Sequence, residues 1–350
     1  TNIKKFYSLN VKISGQSSAS KIIRLKKFLN ENVLDNIYIS APENVAWLLN
    51  IRGQDNPYSP IPNCKAIVSK YGKIYLFSNK FKISNIKNEK FYNSINYFDL
   101  DDFYRIISNL KGETFSIDKN TCSIYDERLI SFKFKIKNYS DPCYRFKSIK
   151  NLTEIKHTKK AHISDGIALT KFLYWLKTNK NRIDEKYAET KLESLRKKNK
   201  NYLFPSFDTI MGSGPNGAII HYRSNKKSNR EIKNNDILLI DSGGQYKYGT
   251  TDVTRTICFE EPKANIKKIF TQVLKGHIAV VTSKIDKNIN GSILDKKARF
   301  WLKSNKLDYP HGTGHGVGFF LNVHEGPQSI SKKNNIRIVE GMVLSNEPGY

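Results

Sequence analysis

Apolar positions along the first 145 residues alternate between two periods. Ile22, Ile23, Leu25, Phe28 and Leu29 share one side of a helix over 20–30. Residues 36–41 read as a strand and 44–49 as a short helix. Two apolar runs, 66–69 and 73–78, flank a Tyr-Gly turn and predict a hairpin. A helical pattern covers 97–110, and a strand 114–118. Residues 139–145 (YSDPCYR) break the rhythm around Pro142 and read as a linker.

Beyond the linker the pattern changes. A long helix runs from 151 to about 177, with Ile163, Ile167, Ala168, Phe172, Trp175 and Leu176 as its apolar stripe. A very basic helix covers 185–198. Strand-like segments with glycine-rich turns fill 206–259. Pro262 opens a third helix, where proline suits the first turn, with Ile266, Ile269, Phe270, Val273, Leu274 and Ile278 on one face. A short fourth helix covers 293–302. Long helices apart from a mostly antiparallel sheet predict an α+β domain. The expected organisation is an α/β domain over 1–145 and an α+β domain over 146–350.

At 350 residues two domains are expected, and 39% hydrophobic residues suffice to build their cores. No stretch approaches the roughly 20 apolar residues of a membrane span, so no membrane partner is expected. The net charge of +27 raises nucleic acid as a partner. The basic residues are scattered, however, as at Lys82, Lys111 and Lys135. The densest run, 196–200, ends a predicted helix, where cations suit the dipole. No nucleic-acid-reading module is visible, and none is expected to act. Cys64, Cys122, Cys143 and Cys258 show no C-x-x-C spacing, which suits reduced thiols in a cytoplasmic protein. The opening TNIKKFYSLN carries neither a start methionine nor a signal peptide and reads as the interior of a longer chain.

Chemistry concentrates in four segments. Asp241 ends the apolar strand of DILLIDSGGQY, and Asp252 opens the next strand in TDVTRTICF. A hairpin through the glycine-rich loop would bring both carboxylates together, where they repel unless a proton or cation lies between. Taken alone they also fit two turn-capping aspartates. HGTGHGVGFFLNVHEGP holds His311, His315 and His324, three of the seven histidines, among glycines that admit close approach. A lone histidine is most often structural; three beside glycines favour metal or catalytic use. His157, His162 and His277 lie on helices and read as structural. Glu347 precedes a Pro-Gly turn in GMVLSNEPGY, and His221 follows the turn of GSGPNGAIIHYR. Two Asp, one His and one Glu suit Mn²⁺, Co²⁺ or Zn²⁺. Bridging carboxylates favour two ions, which lower the pKa of a shared water and polarise a carbonyl, the chemistry of amide hydrolysis.

In order and context, Asp241, Asp252, His315 and Glu347 resemble the ligands of the pita-bread metallopeptidases. The strings GSGPNGAIIHY, DSGGQYKYGTTDVTRT, HGTGHGVGFFLNVHEGP and SNEPGY look most like the long-form Xaa-Pro aminopeptidases of that family, M24. ENVAWLLNIRGQDNPYSP is similar to their creatinase-type domain. The resemblance implies a creatinase-type α/β domain followed by a pita-bread catalytic domain. It implies Asp241 on one metal, Asp252 bridging both, and His315 and Glu347 completing the shells, with Glu347 also shuttling a proton. It places His221, His311 and His324 around the substrate, where they seat the proline side and stabilise the oxyanion. The implied cofactors are two divalent ions, usually Mn²⁺. The implied substrates are peptides with proline second, and the implied assembly is a homodimer at full length.

The family's further bridging Glu falls beyond Tyr350 and the long form's first domain before Thr1. The chain as written is therefore expected to retain metal poorly and to be inactive or nearly so. Two other readings share the residues: a prolidase-type dipeptidase, and a non-catalytic pita-bread module that binds partners through its charge. Neither needs the same evidence; substrate length separates the first and metal content the second.

Overall fold

In a computed structural model that describes residues 4–86, 91–179 and 182–350, the chain forms two compact units. One holds the chain up to Lys147 together with Asn151–Glu154; the other holds Ser148–Lys150 and Ile155–Tyr350.

The first unit is built on a six-stranded mixed sheet. Its spatial order is Ile95–Phe98, Ile74–Phe77, Lys65–Ser69, Asn36–Ile39, Thr114–Ile117 and Lys135–Asn138. The hairpin expected at 66–78 is present, antiparallel from Lys65↔Phe77 to Val68↔Ile74. The start of the expected 97–110 helix is instead a strand, Ile95–Phe98, parallel to Ile74–Phe77; the helix spans only Phe103–Asn109. Phe98 pairs with Phe77 in that ladder, and their rings pack together. The outer strand Lys135–Asn138 (KIKN) escaped the sequence reading because it is short and charged, as exposed edge strands are. The supposed linker is not a loose turn. Pro142–Ser148 is helical, Cys143 is fully buried, and the Asp141 carboxylate accepts from the Cys143 N–H at 2.9 Å and from Asn44 Nδ2 at 2.7 Å.

In the second unit, Ile237–Ser242 is the centre of a three-stranded antiparallel sheet between Ile210–Ser213 and Val253–Cys258. The helices Leu152–Thr178 and Glu185–Lys197 cover it, burying Leu169, Phe172, Leu176, Leu192, Leu238 and Ile240 together. The buried stripe of the long helix is rotated from the expected one. Ile163 and Ile167 are 67% and 53% exposed, whereas Ala161, Asp165, Ala168, Leu169, Phe172 and Leu176 are buried. One position of that stripe is an aspartate, which is why a search for apolar residues misplaced it.

Two further helices, Ala264–Val281 and Gly291–Lys303, pack on each other where Gly276 meets Ala298. The first begins after Lys263, so Pro262 lies ahead of it and not in its first turn. Its expected apolar face is half open: Phe270, Leu274 and Ile278 are 52%, 45% and 48% exposed. No helix among the described residues is long and apolar enough to cross a membrane.

Candidate metal centre

Two short antiparallel ladders carry the chemical groups. In the first, Asp241 pairs with Thr254 and Ser242 with Val253. Asp252 lies one residue beyond the last pair. Because side chains alternate, Asp241, Thr254 and Asp252 share one face, while Leu238, Ile240 and Ser242 point into the other and are buried. The loop between is more than a simple turn. Gly244–Tyr246 and Gly249–Thr250 form their own ladder inside it. The hairpin expectation is right in outcome, with a second hairpin nested within.

In the second ladder, Ser345 N–H donates to the His315 carbonyl at 2.8 Å, and Glu347 N–H to the Thr313 carbonyl at 2.7 Å. The Ser345 hydroxyl accepts from His315 N–H at 2.9 Å. This pairing makes His315 and Glu347 diagonal neighbours on one face, within reach of each other. Gly314 is required here: a Cβ would collide with the Ser345 carbonyl.

The two ladders converge. His315 Nε2 lies 3.2 Å from Asp252 Oδ2 and 3.1 Å from Glu347 Oε1. Donor atoms of Asp252, His315 and Glu347 all lie within 4.8 Å of one another. Asp241 stands beside this triple, its Oδ1 accepting from the Thr254 hydroxyl at 2.7 Å. The His324 ring lies 4.1 Å from that of His315, centroid to centroid. His311 donates from Nδ1 to the Gly312 carbonyl at 2.7 Å, and the backbone of Gly349 approaches its Nε2. His221 is exposed, in a left-handed backbone conformation of φ 56°, and near enough for its charge to disfavour a proton on His324. Of the seven residues singled out from sequence, three form the tight cluster, Asp241 and His324 adjoin it, and His311 and His221 lie at its margin.

The electrostatics describe a site short of positive charge. Burial, then the neighbouring Asp252 carboxylate, pushes Asp241 up to about 7. Burial works against a charged His315, yet its bonds to Asp252 and Glu347 outweigh that and push it up to about 10. Burial likewise works against an ionised Glu347, and the His315 bond holds it below the usual range. Burial and the His315 charge hold His324 below its usual value. His315 Nδ1 donates to the Gly316 carbonyl at 2.9 Å, which leaves Nε2 facing the carboxylates. That is the orientation of a metal-ligating imidazole, and in its protonated form the ring occupies the place of a cation. The donor set of carboxylate oxygens and one imidazole fits divalent ions of the Mn²⁺, Co²⁺ or Zn²⁺ type.

Sequence reasoning passed over the groups that hold this loop in place. Arg299 Nε donates to Asp295 Oδ2 at 2.8 Å, and its Nη atoms donate to the carbonyls of Tyr309 (2.7 Å) and His311 (2.6 Å). The Thr313 hydroxyl donates to Asp295 Oδ1 at 2.6 Å. Asp295 and Arg299 are four apart in a helix, and both are buried. That spacing is the one available signal, and it is shared by many exposed pairs. His277, read as structural, donates from Nδ1 to the Asn346 carbonyl at 3.1 Å, next to Glu347.

Comparison with known proteins agrees with this architecture. A probable Xaa-Pro aminopeptidase P of Laccaria bicolor is 37% identical, the alignment covering 98% of this chain and 55% of the relative. One of Sordaria macrospora is 38% identical, covering 98% and 59%. The chain thus spans little more than half the length of these relatives. Among solved structures, the X-prolyl aminopeptidase of Caenorhabditis elegans, described as a cytosolic enzyme with a di-nuclear active site, superposes with a TM-score of 0.92 at 31% identity, over 99% of this chain and 58% of that one. Prolidase from Pyrococcus furiosus superposes with a TM-score of 0.74 at 27% identity, over 92% and 90%. The fold is a creatinase-type N-terminal domain with a pita-bread domain. Residues 2–154 match the Creatinase/Prolidase N-terminal domain. Residues 156–350, more than half of the chain, match the second family, and the protein belongs to metallopeptidase family M24.

Proposed function

We propose that this protein is a metal-dependent aminopeptidase that releases the N-terminal residue from peptides whose second residue is proline, with 146–350 as its catalytic domain and 1–145 as the domain before it. The observation that carries the reading is the convergence of Asp252, His315 and Glu347 donor atoms within 4.8 Å, with Asp241 beside them. In this reading two divalent ions, Mn²⁺ foremost, supply an activated water and polarise the scissile carbonyl. Asp241, Asp252, His315 and Glu347 would hold the ions.

The remaining work falls to side chains. Glu347 accepts a proton from the attacking water and passes it to the leaving imino nitrogen. His324, whose charged form burial disfavours, offers its N–H to the developing oxyanion. His311 and His221 seat the proline side of the substrate. The description of the C. elegans relative supports two ions and a cytoplasmic setting. A homodimeric form rests on the family resemblance alone.

Prolidases that superpose over 90% of their own length keep a dipeptidase reading in play. One assay separates the two. The protein with its complete natural chain, supplied with Mn²⁺, should cleave Arg-Pro-Pro at the first bond, and Asp252→Ala should abolish the cleavage with the metal. Hydrolysis of Xaa-Pro dipeptides without cleavage of the tripeptide would favour the dipeptidase. Stoichiometric absence of metal would favour a non-catalytic binding module.

A further inference from the structure

Behind the aspartate ladder lies a second polar cluster that the proposed chemistry does not use. Asp165, on the helix Leu152–Thr178, and Arg196, on Glu185–Lys197, are both fully buried. Arg196 Nε donates to Asp165 Oδ1 at 2.7 Å and Nη2 to Oδ2 at 3.1 Å. The pair does not end in itself. Arg196 Nη2 also donates to the Ser242 hydroxyl at 3.0 Å. The Thr251 hydroxyl donates to Asp165 Oδ2 at 3.0 Å and accepts from the Gly244 N–H at 2.9 Å. The Tyr246 hydroxyl donates to Asp165 Oδ1 at 2.7 Å.

Ser242 follows Asp241 in the chain, and Thr251 precedes Asp252. Strand alternation sends the side chains of 242 and 251 to the face opposite the two carboxylates. The ion pair therefore holds the ladder from behind, one residue from each aspartate. The connection between them folds into its own short ladder, and the ion pair grips both ends of it, at Ser242 and Thr251. Burying an ion pair is weak evidence for stability, because apolar residues of the same volume serve as well.

We propose that Asp165 and Arg196 are positioning residues, which grip Ser242 and Thr251 and thereby set the separation of the Asp241 and Asp252 carboxylates for divalent cations. The inference rests on the metal reading of the site. Groups behind first ligands typically change metal affinity 10- to 100-fold when altered.

The test compares Mn²⁺ dissociation constants by calorimetry for the complete natural chain and four variants, with melting temperature as the control for folding. Arg196→Lys keeps the charge and loses the fork, and Asp165→Asn keeps the shape and loses the charge; both should weaken Mn²⁺ binding about 10-fold or more. Ser242→Ala and Thr251→Val each remove one grip without leaving a buried charge, and should weaken it several-fold while the protein still folds. These milder variants decide the matter if the first two do not fold. A lowered melting temperature with unchanged Mn²⁺ affinity would show a structural role only and overturn the proposal. If the wild type takes up no Mn²⁺, the metal reading fails instead. Metal-free crystal structures then judge the positioning: a changed spacing of the two carboxylates in Thr251→Val supports it, and superimposable ladders refute it.

Discussion

His315 shows how one side chain reports what a site lacks. Its Nδ1 proton is committed to the Gly316 carbonyl at 2.9 Å, so the second ring nitrogen decides the charge. Flanked by Asp252 and Glu347, that nitrogen holds a proton to about pH 10. A divalent ion entering the cluster must displace this proton, and part of the one on Asp241, which burial and Asp252 push up to about 7. Mn²⁺ uptake at pH 7–8 is therefore expected to release at least one proton per chain, and affinity should rise with pH. Calorimetry in two buffers of different ionisation enthalpy measures the release; identical apparent enthalpies would exclude it. Thr254 supplies a second residue-scale prediction. Its hydroxyl bonds Asp241 Oδ1 at 2.7 Å, and valine has nearly the same shape. Thr254→Val should weaken Mn²⁺ binding about 10-fold with little change in melting temperature, because an outer partner of a ligand is lost and no cavity forms.

At the scale of elements, the helices Ala264–Val281 and Gly291–Lys303 depend on one close approach. A Cβ at Gly276 would collide with the Ala298 carbonyl, backbone that has no rotamer to change. Gly276→Ala should destabilise the protein by about 1–3 kcal/mol through overpacking, despite alanine's better helix propensity. An unchanged or higher urea midpoint would sink that account. The same scale shows why parts of the chain were legible in sequence and others not. The ligand strings stood out because Asp, His and Glu sit among glycines at strand ends, a composition that packing does not require. Asp165 was invisible for the opposite reason, and Arg196, read as a cation suited to a helix end, is instead buried in an ion pair with it. They occupy apolar-stripe positions of two helices, where period alone predicts a hydrophobic residue, and only the fold places them face to face. Helices and the 66–78 hairpin were readable from periodicity, whereas Lys135–Asn138 looks like a charged loop until its neighbour Thr114–Ile117 is seen.

For the molecule as a whole, the formal charge of +27 says little, since most of it is scattered over exposed lysines. A single lysine says more. Lys21 is 1% exposed, donating to the Trp47 carbonyl at 2.8 Å and to Asn50 Oδ1 at 2.6 Å, with Trp47's ring 4.4 Å from its Nζ. Burial depresses its pKa from 10.5 to about 7, against the pull of Glu154 and Cys143 and with the push of Arg52. Unfolding restores the ordinary value, so between these limits the unfolded chain binds more protons than the folded one, and stability rises with pH. The cost of burying the charge is full below pH 7 and fades toward 10.5. Above pH 9 the buried Cys64 and Cys143 thiols, which folding keeps protonated, act in the opposite sense. The clean window is therefore pH 7–9. Across it the wild type should gain roughly 2 kcal/mol relative to Lys21→Met, which has no proton to lose there. Urea unfolding of both proteins at the two pH values measures the difference. Parallel stability curves would mean that Lys21 keeps its proton in the folded state, and that its two acceptors and the indole ring offset the cost of burial.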